Sequence, residues 1–244
     1  MLPTLTLGPV AVPTFPLLLL IAFWAGLSLA VYRAKQVGLE GDHVYNAGLY
    51  GLLAGLIGAR VWFVLAHWEN YAGDLSQIFS LSRNALSFPE GLVIAGLAIL
   101  IYLQRHGVAV GLFLDALAPG LALALIIGHI GDFLGGESIG TLTNQPWGVE
   151  IAGQNRHPIQ LYEAWASLLI LVTLWLSRRW RPWAGFQCWL AIALYCLGRL
   201  LLEVFRANPA IIGAGYLAIQ VAALAILVVT LAVMAYNFTK IRGT

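Results

Sequence analysis

Apolar runs of roughly 20 residues, separated by short polar breaks, organise this chain from end to end. A helix needs about 20 mostly apolar residues to cross a bilayer. On that measure seven spans are predicted, near 12–33, 46–67, 87–104, 110–130, 159–177, 184–205 and 211–236. Asp115 and Pro119 interrupt the fourth. The first run, from Val12 to Tyr32, is longer than the apolar part of a signal peptide, and no Lys or Arg precedes Arg33. It therefore reads as a retained helix. No low-complexity tract and no convincing internal repeat interrupts this pattern.

Composition sharpens the picture. The 244 residues are 60% hydrophobic and only 10% charged, with mean hydropathy +0.84, whereas soluble domains carry about a quarter charged residues. The expected fold is all-α: a polytopic membrane protein whose seven helices form one integral membrane domain over 1–244. The net charge of +2 says little; its distribution says more. Eight basic residues (Arg33, Lys35, Arg105, Arg178, Arg179, Arg181, Lys240 and Arg242) fall on one side of the predicted spans, and Arg83 and Arg156 on the other. Cytoplasmic connections are the Lys- and Arg-rich ones, so the N-terminus is expected outside and the C-terminus inside, as an odd number of spans requires. Trp180 and Trp183 on one side, and Trp68 and Trp147 on the other, suit interfacial anchors.

Several functions are disfavoured. Cys188 and Cys196 share one apolar span and read as small hydrophobes, and neither CxxC nor HExxH occurs, so neither a metal nor another cofactor is expected. The lysines, Lys35 and Lys240, sit at span margins, which removes a buried Schiff-base lysine. A transporter would be expected to show paired broken helices. The basic residues read as membrane anchors, so nucleic acid is not an expected partner.

Polar chemistry concentrates in three places. Residues 128–140 interleave five glycines (128, 131, 135, 136 and 140) with His129, Asp132 and Glu137. Glycine admits sharp turns and close approach to a ligand, and irregular backbone at membrane depth is tolerated only against protein or a cavity. His157, Gln160, Tyr162 and Glu163 open the fifth span, with Gln160 and Glu163 at i, i+3 spacing. In the sixth, Tyr195, Arg199 and Glu203 recur every four residues and share a face, joined nearly in register by Arg206. Ionisable groups inside a membrane tend to mark function. An Arg199–Glu203 pair could simply lock the bundle, but one acid does not neutralise two arginines. A lipid phosphate, matched to the guanidinium fork, is the natural further partner. Arg60, in the second span, either snorkels to headgroups or joins the same anionic pocket. Asp115, near the inner end of the fourth, reads as structural.

At these residues the chain resembles the prolipoprotein diacylglyceryl transferases. The matching stretches are Gly128-His129-Ile130-Gly131-Asp132-Phe133-Leu134-Gly135-Gly136-Glu137 and His157-Pro158-Ile159-Gln160-Leu161-Tyr162-Glu163. Further matches are Gly58-Ala59-Arg60, Leu114-Asp115 with Ala118-Pro119, the Tyr195/Arg199/Glu203/Arg206 face, and Gln220. The likeness runs in order from about Leu7 to Gln220. Three family positions differ. His129 stands where the family has arginine and Asp132 where it has asparagine. Matched over Glu90 to Leu97, the family's Gly-Gly-Met-Ser-Phe-His-Gly-Gly segment has Ala95 at its histidine.

The resemblance implies a multi-pass enzyme of the bacterial cytoplasmic (inner) membrane. Its partners would be phosphatidylglycerol, the lipobox of a prolipoprotein signal peptide, and surrounding lipid. It would move diacylglyceryl to the lipobox cysteine thiol, forming a thioether and releasing glycerol phosphate. His129, Tyr195, Arg199 and Glu137 are then the expected catalytic residues. Arg60, Asp132, Gly136, His157, Gln160, Glu163, Glu203 and Arg206 are the expected substrate-binding ones. Within that set Arg199 and Arg206 are expected to clamp phosphate and Glu203 to orient them. Tyr195 is expected to donate to phosphate or position the thiol, and His129 to take the thiol proton, with Glu137 or His157 in reserve. The alternatives are a relative that binds phospholipid without catalysis, and a transferase with another acceptor.

Overall fold

The computed structural model describes residues 2–7, 10–73, 76, 78, 86–136, 138–151, 153–212 and 215–242. Its seven long helices are α1 (Thr14–Val37), α2 (Gly41–Ala66), α3 (Phe88–Arg105), α4 (Val110–Gly135), α5 (Ile159–Leu176), α6 (Phe186–Leu202) and α7 (Ala218–Arg242). Among the described residues, these seven are long and apolar enough to cross a membrane. Each overlaps a predicted span. Arg83, one of the two basic residues counted on the sparsely charged side, lies outside the described residues.

Short antiparallel hairpins decorate one end of the bundle: β1 (Thr4–Leu7) with β2 (Val10–Pro13), β3 (Val149–Ile151) with β4 (Gln154–Arg156), and β5 (Ile211–Ile212) with β6 (Tyr216–Leu217). The last hairpin corrects the predicted seventh span, which began at residue 211. The apolar run there has helical hydropathy, but Gly215 adopts φ +104° and turns the chain back before α7 starts.

Pro119 does not break α4, which continues to Gly135. Here α4 crosses α1 at very short range: a Cβ on Gly26 would meet the Gly120 carbonyl oxygen at 2.7 Å, and one on Gly120 would overlap the Gly26 oxygen. Backbone-to-backbone approach of this kind is how helices associate where burial from water gives no drive. Leu27, Ala30, Val44, Leu103 and Phe113 fill the core at the end away from the hairpins, and Ala118, Ala122, Ile170 and Leu174 fill the contact of α4 with α5.

Asp115 is structural, as expected. Fully buried, it accepts the backbone N–H groups of Gly185 (2.8 Å), Gln187 (2.8 Å) and Cys188 (3.3 Å), so a carboxylate from α4 caps the first turn of α6. Those N–H groups have no intrahelical acceptor, and the positive end of the helix dipole favours the anion. This fixes α6, and with it Arg199, relative to α4.

Candidate active site

Because the helices alternate in direction, the end of α4, the start of α5 and the end of α6 meet at the hairpin end of the bundle. The glycine-rich segment lies across this junction. Gly136 (φ +73°) terminates α4, its N–H bonded to the Asp132 carbonyl. The chain then pairs with the segment after α6: Thr141 N–H donates to the Phe205 carbonyl (2.8 Å), and Ala207 N–H to that of Ile139 (2.9 Å). Gly140 and Arg206 are thereby set opposite each other. Gly140 has no space for a side chain, since a Cβ would run into the His157 carbonyl oxygen.

At the centre is Glu163, 4% exposed. Its Oε1 accepts from Arg199 Nη1 and, at 2.6 Å, from Arg206 Nη2. Its Oε2 lies 3.3 Å from His129 Nδ1. Glu203, 1% exposed, accepts from Arg199 Nη2 at 2.5 Å and lies 3.8 Å from Arg206 Nε. Two carboxylates thus hold two guanidinium groups and one imidazole, contributed by α4, α5, α6 and the turn following α6.

This differs from the sequence expectation in one respect. The charge count set one acid, Glu203, against two arginines, whereas Glu163 is the second acid and binds both. Arg206 nevertheless keeps unused donor capacity. Its Nε is buried with no hydrogen-bond acceptor among the described residues, and its Nη1 donates only at 3.4 Å, to Ser138 Oγ. Ser138, which the sequence did not single out, links the glycine segment to the site. Its hydroxyl donates to Asp132 Oδ2 at 2.6 Å, and its carbonyl accepts from Gln160 Nε2. Asp132 Oδ1, Gln160 Oε1 and Glu203 Oε1 are buried acceptors with no donor among the described residues. Buried polar groups are normally paired, so this junction has bonding capacity left for a ligand carrying hydroxyls.

Two apolar cavities reach this polar cluster from the membrane-facing sides. One, about 520 Å³, lies between α4, α6 and α7, lined by residues such as Leu121, Ala122, Ile192 and Ala222, with Tyr195 and Arg199 in its wall. The other, about 570 Å³, lies between α1 and α4, lined by Phe15, Leu19 and Phe23, with His129, Asp132 and Ser138 in its wall. A niche of about 20 Å³ bounded by His129, Glu163, Tyr195 and Arg199 lies at the cluster itself. Tyr195, 40% exposed, borders both the first cavity and this niche.

The remaining expected residues fall elsewhere. Arg60 is buried, so it does not snorkel. Its Nε donates to the Ile78 carbonyl (2.7 Å) and its guanidinium lies over the Tyr71 ring (5.3 Å), which ties it to the connection after α2. His157 Nδ1 is 3.0 Å from the Tyr162 hydroxyl, which also accepts from Trp147 Nε1 (2.8 Å). With Phe205 packed against its ring, His157 is drawn into an aromatic network beside the centre. Glu137 lies outside the described residues. Gln220 donates to the Leu200 carbonyl (2.9 Å) and ties α7 to α6. The match at the family's histidine also needs correcting. Ser87-Phe88 aligns with the Ser-Phe that precedes it, which puts Pro89, in the first turn of α3, at that place. Ala95 is packed against Gly55 of α2. Neither residue can act as a base.

Comparison with known proteins bears on this geometry. A family model described as "Prolipoprotein diacylglyceryl transferase" matches residues 3–236. A protein of Clostridioides difficile named phosphatidylglycerol–prolipoprotein diacylglyceryl transferase is 32% identical over 208 residues, covering 85% of this chain and 84% of its own. Proteins of the same name from Corynebacterium diphtheriae (30% identity, 84% and 81% coverage) and Rhodococcus jostii (28%, 97% and 72%) are similar over comparable lengths.

Proposed function

Since the chain belongs to the prolipoprotein diacylglyceryl transferase family, we propose that the Glu163 centre carries out that family's transfer. The protein is a multi-pass membrane transferase. Its donor is phosphatidylglycerol and its acceptor a prolipoprotein. The observation that carries the site assignment is the convergence of Arg199 and Arg206 on Glu163 Oε1, beside His129 and at the head of the 520 Å³ apolar cavity.

His129 takes the proton at Nε2, and Glu163 Oε2, 3.3 Å from Nδ1, stabilises the imidazolium that forms. The acceptor cysteine gives its proton to Nε2. The thiolate forms a bond to the terminal glyceryl carbon as the bond from that carbon to phosphate oxygen breaks, and the electron pair leaves with glycerol phosphate. The imidazolium then returns its proton to water. A free thiol has a pKa near ~8.5, so a modest base suffices. Charge grows on the departing phosphate during the step, and guanidinium groups already fixed by two carboxylates meet it without reorganisation. Arg206 Nε supplies a donor for it, with Nη1, which otherwise donates weakly to Ser138, and Arg199 and Tyr195 alongside. The acyl chains occupy the apolar cavity below Arg199. Gln160 and Asp132, with their unused acceptors, receive the hydroxyls of the glycerol headgroup.

The charge bias supports placing this end of the bundle outside, at the outer leaflet of a bacterial cytoplasmic membrane. One observation favours a second reading, phospholipid binding without transfer: both Arg199 Nη groups already sit on carboxylates. Purified protein incubated with phosphatidylglycerol and a lipobox peptide separates the two. Release of glycerol phosphate that depends on peptide and is lost in His129→Ala supports the transferase centre. Lipid retained with no release supports the second reading, and undiminished release in His129→Ala removes His129 as the base.

A further inference from the structure

The end of the bundle opposite the Glu163 centre carries a second concentration of positive charge that the transfer reaction does not use. Arg33, in the last turns of α1, is 2% exposed and among the largest fully buried side chains. Its Nη1 donates to the Gln36 side-chain oxygen, while its Nε is buried with no acceptor among the described residues. Among the described residues, no carboxylate forms an ion pair with it. Gln36 also accepts, through its backbone carbonyl, from Arg181 Nη2 at 3.2 Å. One residue therefore holds two guanidinium groups together, joining α1 to the connection between α5 and α6.

The surrounding charges do not cancel this pair. Arg178 also lies within electrostatic reach of Arg33, and the acid that does so is Asp115. Both Asp115 oxygens are engaged by N–H groups of α6. The carboxylate that acts on Arg33 is thus already committed to the N–H groups of α6. A buried charge without a partner is strongly unfavourable, and the usual resolution is a counter-ion.

We propose that Arg33 and Arg181 bind a phosphate group at this end of the bundle, the headgroup phosphate of an anionic phospholipid in the leaflet that Arg33 faces. Two planar guanidinium forks match phosphate oxygens bidentately. The pair lies where α1 and α5 end and α6 begins, the end of the bundle whose Lys- and Arg-rich connections would meet anionic lipid. Asp115 and His129 are 14 positions apart on α4, about 20 Å at the helical rise, so this phosphate is separate from the one that reacts. Its role is to hold α1 against the α5–α6 connection.

The test uses full-length protein carrying Arg199→Gln and Arg206→Gln, so that lipid at the reaction centre does not count. Phosphatidic acid, phosphatidylcholine and inorganic phosphate are the three probes, read by native mass spectrometry and thermal melting in detergent. Phosphatidic acid is expected to bind at least tenfold more tightly than phosphatidylcholine. Adding Arg33→Gln or Arg181→Gln should remove that preference while helical content stays unchanged. If Arg33→Gln does not fold, Arg181→Gln alone decides, with Arg181→Lys expected to be intermediate. Stabilisation by inorganic phosphate that is lost in the same variants supports the site with free phosphate as its source. Equal binding of the two lipids, or a preference unchanged in Arg181→Gln and no phosphate effect, overturns the proposal.

Discussion

His129 Nδ1 lies 3.3 Å from Glu163 Oε2, and the other oxygen of that carboxylate holds Arg199 and Arg206. One side chain of α5 therefore couples the proposed proton acceptor to the proposed phosphate clamp. Disturbing Glu163 should disturb both.

Glu163→Gln keeps the shape but removes the charge. Breaking a buried ion pair by removing one partner typically costs about 3–5 kcal/mol. A lower melting temperature and transfer reduced by about 100-fold or more are expected, measured as glycerol phosphate release per folded protein. Wild-type rates in this variant would contradict the coupling.

Arg206→Lys tests geometry apart from charge. A lysine keeps the cation but not the fork that reaches Glu163 and Ser138 together. Activity is expected to fall nearly as far as in Arg206→Gln. Full activity in the lysine variant would mean that charge alone is needed.

Gly140→Ala places a methyl group against the His157 carbonyl oxygen, a backbone atom that cannot rotate away. The strand pairing that carries Arg206 has to shift, with destabilisation of about 1–3 kcal/mol. Melting temperature and activity are expected to fall together.

The transmembrane architecture was legible in the sequence because hydrocarbon thickness imposes a minimum apolar length on each span. The hairpin from Ile211 to Leu217 was not, since its apolar residues join those of α7 in one hydropathic run. The shared face of Tyr195, Arg199 and Glu203 followed from helical spacing. The role of Glu163 as the common partner was hidden, because it arises only when α4, α5 and α6 converge. The charge count did hold a signal: two arginines beside one acid required another anion, and Glu163 was the acid closest to the outer motif on a predicted helix. The burial of Arg60 was not legible because its partners Tyr71 and Ile78 lie in a connection whose path the sequence does not give.

Ala222→Trp should fill the cavity between α4, α6 and α7 without touching the polar centre. KM for phosphatidylglycerol is expected to rise with kcat less affected, the signature of lost ground-state binding. An unchanged KM would mean that acyl chains do not use this cavity.

Asp115→Asn removes acceptor capacity from a residue that caps α6 in three bonds. Leaving buried N–H groups unsatisfied costs about 1–3 kcal/mol. Stability should fall by that order, while the rate per folded molecule stays close to wild type.

The most direct measurement is the mass of a lipobox peptide after incubation with phosphatidylglycerol and purified protein, wild type against Arg199→Gln. Wild type is expected to add one diacylglyceryl group at the cysteine, and Arg199→Gln to leave the peptide unmodified though it remains folded. An unmodified peptide with wild type, or equal modification by both proteins, would contradict the assignment of transfer to this centre.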